Sequence, residues 1–149
     1  MPSAAQLKFL LKRAQEESDS ATQHLGQARK ALASSNAKHA LLSRYREDYR
    51  AQLGATAAQG MDGDRLRNFQ RFIANVTQAI TQQQQEVERC KAVTQRAELA
   101  WRETQRRLQS YRTLAERDAS RDRLAGERKQ QKQSDEFCNQ SFLRLASKS

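Results

Sequence analysis

The chain has 149 residues and a formal net charge of +10, from 27 lysines and arginines against 17 aspartates and glutamates. Only 37% of the residues are hydrophobic and 6% are aromatic, which excludes a compact globule with a large core. One proline and five glycines favour helix throughout, and no alternating apolar pattern indicates a strand. No segment approaches about 18 uninterrupted apolar residues, so the sequence predicts no membrane-spanning helix.

The first third of the chain carries a stripe that repeats every 3.5 residues, which is typical of a coiled coil. Just ahead of it, Ser3 and Gln6 have the spacing of a helix-capping box. We therefore predict a first helix over about residues 3–53. The stripe consists of Leu7, Leu11, Ala14, Ser18, Ala21, Leu25, Ala28, Leu32, Ser35, His39 and Leu42, followed after a shift in spacing by Tyr45, Tyr49 and Leu53.

A turn follows this stripe, because three of the five glycines fall within residues 54–63. Glycine ends helices since it adopts the left-handed conformation at little cost. Asp62 or Asp64 can cap the helix that comes next. The sequence thus predicts a loop at 54–63 and a second helix over about residues 64–146.

The second helix carries a longer stripe of the same kind, with fifteen consecutive positions at alternating steps of three and four residues. Such a narrow stripe predicts a rod, which has little room for a catalytic cleft. The positions are Leu66, Phe69, Ile73, Val76, Ile80, Gln83, Val87, Cys90, Thr94, Ala97, Trp101, Thr104, Leu108, Tyr111 and Ala115.

The predicted fold is all-α: a single domain over residues 1–149 that forms a long two-helix antiparallel coiled-coil hairpin, because a short connection makes helices antiparallel neighbours. A register in which helix one ends at Leu53 places Trp101 opposite Ala14 and Ser18. Helix two then has no partner beyond about residue 115 and forms a C-terminal overhang. The expected core residues are Leu7, Leu11, Leu25, Leu32, Leu66, Phe69, Ile73, Ile80, Val87, Trp101, Leu108 and Tyr111.

Two groups of side chains stand out as candidate binding surfaces. Phe72, Val76 and Ala79 form a second apolar row beside the seam, near Tyr45 and Tyr49. Either Phe72 leans over the seam, or the wider apolar surface receives a further partner. The other group lies in residues 102–149, which hold twelve basic and seven acidic side chains.

The arginines of this C-terminal part allow three interpretations. They can form a solvated face with ion pairs three or four residues apart, a basic handle for an acidic protein groove, or a nucleic-acid surface. Acidic residues that recur every few positions oppose the last of these. The group is Arg102, Arg106, Arg107, Arg112, Arg117, Arg121, Arg123 and Arg128.

Other residues carry little chemistry. His24 and His39 lack neighbours at metal-ligand spacing, so we expect no metal and no cofactor. No nucleophile–base set or phosphate-binding loop is present, so we expect no enzyme. Cys90 and Cys138 have no pairing context, which suggests reduced thiols in the cytoplasm. The tail ends in Phe137, Phe142, Leu143 and Leu145, either frayed or a segment that orders on docking.

Several short segments resemble the FliJ family of flagellar export proteins. No segment is a strong motif alone, but their order and spacing over nearly the whole chain make the match specific. The segments are Tyr45-Arg46-Glu47-Asp48-Tyr49-Arg50, Gly60, Asn68-Phe69-Gln70-Arg71-Phe72-Ile73, Ala79-Ile80-Thr81-Gln82, Trp101-Arg102-Glu103, Leu114-Ala115-Glu116-Arg117 and Asp135-Glu136-Phe137.

The resemblance implies a non-enzymatic coiled coil of the flagellar type III export apparatus, similar to the central stalk of rotary ATP synthases. It implies that the chain enters and stimulates the hexameric export ATPase FliI, contacts the export gate FlhA, and escorts the export chaperones FlgN and FliT. The implied location is cytoplasmic, peripheral at the inner face of the cell membrane at the flagellar base. No small-molecule substrate is implied.

The resemblance also implies site residues. The gate-binding surface maps onto Leu42, Tyr45, Tyr49, Phe72, Val76 and Ala79, with Lys38 and Gln83 where enteric members carry Gln and His. The basic end that meets the ATPase comprises Lys8, Lys12, Arg13, Arg102, Arg106, Arg107, Arg112, Arg117, Arg121 and Arg123. The alternatives are the stalk of a virulence type III secretion system, a basic coiled coil that binds nucleic acid, and a purely oligomerising coiled coil.

Overall fold

A computed structural model of the chain describes residues 2–147, so residues 1, 148 and 149 of the predicted domain lie outside the described part. It contains two helices, α1 (Ala4–Ala58) and α2 (Gly63–Ser147), which pack against each other. No strand occurs within residues 2–147. The all-α hairpin predicted from the two stripes is therefore confirmed.

Both helices begin at the caps that the sequence predicts. The backbone N–H of Ser3 donates to Gln6 Oε1 over 2.9 Å, and the N–H of Gln6 donates to Ser3 Oγ over 3.2 Å. This reciprocal pair satisfies backbone donors that the first helical turn leaves without partners. At α2, the N–H of Arg65 donates to Asp62 Oδ1 over 2.8 Å, so Asp62 is the cap.

The connection is shorter than predicted, because α1 continues through Gly54 and ends at Ala58 instead of residue 53. Glycine inside a helix costs about 1 kcal/mol relative to alanine. The alanine-rich residues that follow favour helix, and Thr56 Oγ1 donates to the Gln52 carbonyl over 2.8 Å. Gly60, with a φ of 93°, adopts the left-handed conformation that ends the helix. The prediction placed the loop too early, because it relied on the glycine content of residues 54–63 alone.

The structure divides into two compact units, Asp19–Glu103 and the two chain ends, Met1–Ser18 with Thr104–Ser149. In the Asp19–Glu103 unit, α1 and α2 face each other along the predicted stripes. The buried side chains of this unit are Leu25, Ala28, Ser35, Gln83, Val87 and Cys90. All six of these residues belong to the predicted stripes.

Polar residues occupy part of this seam and are hydrogen-bonded across it. Gln83 Nε2 donates to both the carbonyl oxygen and Oγ of Ser35 over 2.9 Å. Thr94 Oγ1 contacts the Ala28 carbonyl at 3.3 Å. A buried amide without partners costs on the order of 1–3 kcal/mol, and these bonds avoid that cost only when the helices are in this register.

The contact of Gln83 with Ser35 fits the predicted register, but the Trp101 indole lies about one helical turn from its predicted place. Trp101 Nε1 donates to Thr22 Oγ1 over 3.2 Å, whereas the sequence placed the indole beside Ala14 and Ser18.

In the unit formed by the chain ends, Leu7, Ala14, Ser18 and Leu108 are buried. Gln105 Nε2 donates to Ser18 Oγ over 2.6 Å, which satisfies the buried hydroxyl. Between residues 119 and 140 of α2 every side chain is exposed. This segment is the unpaired overhang of the helix.

The predicted core is less deeply buried than a globular core. Leu66 is 36% exposed, so its assignment to the core is wrong; it lies one turn into α2, beside the connection between the helices. Leu11, Leu32, Phe69, Ile73, Ile80, Trp101 and Tyr111 are half-buried. Two helices alone cannot enclose a large side chain, and none in residues 2–147 is fully buried. None of the described helices is long and apolar enough to cross a membrane.

The hydrogen bonds of Gln83 generate a stability prediction. We expect Gln83→Ala to lower the free energy of unfolding by about 1–3 kcal/mol, because it removes two buried hydrogen bonds to Ser35. Gln84→Ala is the matched control: its amide only contacts exposed Glu88 at 3.5 Å, so we expect a change within about 0.5 kcal/mol. Urea unfolding followed by far-UV circular dichroism measures both. Equal effects would contradict a structural role for the buried amide.

Candidate functional site: two partner-binding surfaces

Four aromatic rings meet near the turn of the Asp19–Glu103 unit. Tyr49 lies at their centre: its ring stacks on Phe72 with centroids 4.0 Å apart and contacts Phe69 at 5.6 Å. Tyr45 stacks on the other side of Tyr49 at 6.4 Å. Phe72 is half-buried and joins the cluster, so it leans over the seam, as one of its two interpretations proposed. We call Tyr45, Tyr49, Phe69 and Phe72 the aromatic cluster.

The exposed part of this surface belongs to α1. Tyr45 is 54% exposed and Leu41, one helical turn earlier, is 58% exposed. Leu41 was missed by the sequence analysis because it lies outside the seam stripe; its spacing of four residues from Tyr45 was the available signal. Large apolar groups that lie together on a surface without burial in the fold are typical of contacts with other proteins.

The other residues predicted for the gate-binding surface separate into two groups. Leu42, Val76 and Ala79 are half-buried beside the cluster. Gln83 is buried in the seam with 8% of its surface exposed, and its amide is hydrogen-bonded to Ser35. Lys38 is exposed.

Lys38 also contributes to the electrostatics across the two helices. The Arg89 guanidinium, through a hydrogen bond and its charge, holds the pKa of Glu86 below its ordinary value, and Lys38 adds a smaller effect in the same direction. Glu86 in turn raises the pKa of Arg89. Lys38 of α1 thus faces acidic charge on α2, and Lys38 is not an isolated cation of the surface.

The seam position next to the cluster holds an arginine. The sequence analysis placed Tyr45 on the stripe after Leu42, but Tyr45 is exposed and Arg46 is half-buried. The steps of three and four therefore continue through Leu42, Arg46, Tyr49 and Leu53. The stripe therefore has no shift at Tyr45. Arg46 is a residue that sequence reasoning missed, because charged residues are rarely placed on a buried stripe.

The predicted basic end is divided between the two units. Arg102 belongs to the Asp19–Glu103 unit, where it pairs with Glu98 at 3.0 Å. Lys8, Lys12, Arg13, Arg106, Arg107, Arg112, Arg117, Arg121 and Arg123 belong to the unit of the chain ends. We call these nine residues the basic end from here on.

Some cations of the basic end are engaged within the fold. Glu17 pairs with Arg13 at 3.4 Å and with Arg107 at 3.7 Å, and Arg112 donates to Gln15 Oε1 over 3.0 Å. The Arg13 pair has the four-residue spacing of a helix surface, whereas Arg107 and Arg112 reach from α2 to α1. Exposed contacts of this kind contribute little to stability.

Other cations face solvent beside apolar side chains. Arg117 and Arg121 line a recess of about 100 Å³ together with Leu7 and Leu114. Within residues 2–147, Arg123 makes no ion pair. Beyond the recess, Phe137, Phe142, Leu143 and Leu145 are largely exposed on α2. The chain-end unit thus combines exposed positive charge with apolar groups.

No group of three or more histidine, cysteine, aspartate or glutamate residues within the described part of the chain could hold a metal ion. Cys90 is buried and Cys138 exposed, and neither forms a disulfide. The two surfaces above are therefore the candidate sites, and both are suited to binding other proteins.

Comparison with known proteins agrees with the resemblance drawn from the short segments. The sequence model of the flagellar FliJ protein family matches residues 3–147. A flagellar FliJ protein of Escherichia coli K12 is 33% identical over 134 residues, which cover 88% of this chain and 89% of the relative. A flagellar FliJ protein of Salmonella typhi is 32% identical over 141 residues, 93% of this chain and 94% of the relative.

The chain belongs to the flagellar FliJ protein family. The family match covers both helices almost completely, so the aromatic cluster and the basic end both lie within the part shared with FliJ proteins. This confirms the resemblance drawn from the short segments. Family membership also supports the assignment of this chain as a component of the flagellar export apparatus.

The aromatic cluster leads to a stability prediction for this FliJ family member. We expect Tyr49→Ala to lower the free energy of unfolding by about 1–3 kcal/mol, because three ring contacts are lost together. Tyr45→Ala loses one stacking contact of an exposed ring, and we expect less than about 1 kcal/mol. Thermal unfolding of both variants tests this order. A larger effect at Tyr45 would contradict the arrangement described here.

Proposed function

We propose that this protein is a non-enzymatic component of the flagellar type III export apparatus that binds and stimulates the export ATPase FliI, contacts the gate FlhA and escorts the chaperones FlgN and FliT. Family membership supports the assignment to the flagellar export apparatus. The observation that carries the finer proposal is the presence of two chemically different exposed surfaces, one apolar and aromatic, the other basic. Different surface chemistry suits different partners.

The aromatic cluster with Leu41 is the proposed gate-binding surface. Tyrosine and other large apolar side chains carry most of the binding energy at protein interfaces. Here Tyr45 and Leu41 supply exposed area, and the Tyr45 ring packs against Tyr49, which itself stacks on Phe72. A rigid, preorganised anchor loses little conformational entropy on binding.

The basic end is the proposed ATPase-binding surface. Positive charge next to a shallow apolar recess suits an acidic groove with an apolar floor. The acidic residues interleaved with these arginines, such as Glu116 and Asp118, repel phosphates. Protein binding is therefore favoured over binding to nucleic acid.

The flagellar assignment is favoured over the stalk of a virulence secretion system, because the relatives at 33% and 32% identity are both named as flagellar proteins. We propose a cytoplasmic location at the inner face of the membrane at the flagellar base, reached through the partners. The exposed apolar residues of the tail, led by Phe142 and Leu145, are the proposed chaperone-docking segment.

The gate contact can be tested with residues that do not support the fold. We expect Leu41→Ala with Tyr45→Ala to weaken binding to the cytoplasmic region of the cognate gate at least about tenfold, because two exposed anchors are removed. Isothermal titration calorimetry measures the affinity, and circular dichroism verifies the helices. ATPase stimulation by the double variant should stay near that of the unchanged protein.

Leu99→Ala is the matched control, since Leu99 is an exposed leucine of the same unit, 64% exposed, remote in sequence from the cluster. It should leave gate binding unchanged. Unchanged gate affinity in the Leu41→Ala, Tyr45→Ala protein would show that the gate binds elsewhere.

The ATPase contact is tested by charge reversal at the basic end. We expect Arg117→Glu with Arg123→Glu to raise the concentration needed for half-maximal stimulation of the cognate ATPase by about tenfold or more, because attraction to an acidic groove becomes repulsion. Arg29→Glu with Arg96→Glu makes the same change in net charge in the other unit and should have little effect. The proposal fails if the two pairs act alike. Saturation well below one chain per ATPase subunit would support one stalk per ring.

A further inference from the structure

Arg46 is held in an unusual environment for a charged side chain. It occupies a position of the buried α1 stripe, between Leu42 and Tyr49, and its side chain is only 24% exposed. Its Nε is buried and makes no hydrogen bond, the one such side-chain atom found in the described residues 2–147. Burying a donor without a partner is costly, so an aliphatic residue at this position would suit the hairpin better.

Intramolecular charge compensates Arg46 poorly. Its ion-pair partner is the neighbouring Glu47, with 3.7 Å between Nε and Oε1, too long for a hydrogen bond. The same Glu47 oxygen accepts a hydrogen bond from Arg50 Nη1 over 3.1 Å. Glu47 is therefore shared between two guanidinium groups and satisfies the closer one.

The surroundings of Arg46 carry a surplus of positive charge. The α1 residues from Leu41 to Arg50 include three basic and two acidic side chains, and the facing α2 residues 69–83 add Arg71 and no acid. Apolar anchors lie immediately beside this charge, at Leu41 and Tyr45. The surface thus presents exposed hydrophobic groups, net positive charge and a guanidinium with unused hydrogen-bonding capacity.

We propose that Arg46 is a recognition residue that binds a carboxylate of the partner docked on the aromatic cluster, and that this partner segment is acidic with apolar anchoring side chains. The proposal rests on the proposed function of the cluster as a docking surface for the gate. Arginine binds carboxylates in a planar, two-pronged geometry, which gives specificity as well as affinity. Leu41 to Tyr49 extends about 12 Å along α1, so the segment needs only about two helical turns or a short extended stretch.

This assignment explains why an arginine is retained in the seam. Its stem packs between the helices and fixes the direction of the guanidinium before the partner arrives. A charged group that is already ordered and partly desolvated binds an opposite charge more strongly than a mobile surface arginine. The hairpin is then less stable than it could be, in return for a preorganised site.

Binding measurements separate this role from general electrostatics. With the cytoplasmic region of the cognate gate as the probe, we expect Arg46→Gln to weaken binding about tenfold and Arg46→Lys to recover part of that loss. Arg44→Gln is the matched control: it removes the same charge from an exposed side chain two residues away, which points to another side of α1, and should change the affinity less than twofold. Affinity of the unchanged protein should fall with added salt more steeply than affinity of Arg46→Gln.

Stability provides the second readout. We expect Arg46→Met to raise the melting temperature by about 2–4 °C, because a flexible apolar side chain replaces a buried donor without a partner. The same variant should bind the gate fragment about tenfold more weakly. A purely structural arginine would give the opposite: Arg46→Met would lose stability, and binding would fall only with the fold.

A charge exchange identifies the partner carboxylate. Each aspartate and glutamate of the gate segment is changed to arginine in turn and combined with Arg46→Glu; recovery of affinity in one combination, but not with Arg44→Glu, confirms a direct pair. Recovery in no combination overturns the proposal. Unchanged affinity of Arg46→Gln overturns it too. If Leu41→Ala with Tyr45→Ala still weakens binding in that case, the proposed docking surface stands and only the role of Arg46 fails. If neither change weakens binding, the proposed function of the cluster fails with it.

Discussion

Two helices can bury only one narrow stripe each, and every other feature of this molecule depends on that constraint. A compact domain shields large side chains from all sides, but here no large side chain within residues 2–147 is fully buried. Small residues such as Ala14, Ala28 and Ser35 let the helices approach closely. Close packing of the backbones partly replaces the stabilisation that a larger buried apolar area would give. Apolar groups beyond the stripes, such as Leu41 and Tyr45, have no place in the fold and remain exposed.

Because the apolar stripe is thin, polar contacts set the register. An apolar seam with a regular repeat can slip by a heptad at modest cost, whereas a buried amide is satisfied in one alignment only. Gln83 with Ser35, and in the other unit Gln105 with Ser18, form such fixed points. Polar residues that weaken the hydrophobic pattern of the sequence thus specify the structure.

The sequence was sufficient to predict the fold class, the caps and the facing side of both helices, since a 3.5-residue repeat and capping residues are local signals. It was insufficient where the outcome depends on a balance between neighbours. Gly54 is helical because the residues after it favour helix, so α1 ends at Ala58, later than predicted. Leu41 and Arg46 were missed because one lies off the stripe and the other is charged on it.

The position at which the buried stripe of α1 is interrupted is informative, because sequence pattern and burial disagree there. Along α1 the stripe is small or apolar almost throughout, and Arg46 departs from it next to the aromatic cluster. When local preference, burial and hydrogen bonding agree elsewhere, a disagreement at one position indicates a demand that does not come from folding. At this position the demand is met by an acidic partner, which would supply the carboxylate that Glu47 cannot. Stability and recognition thus place opposite requirements on this one residue, and arginine serves recognition at the expense of stability.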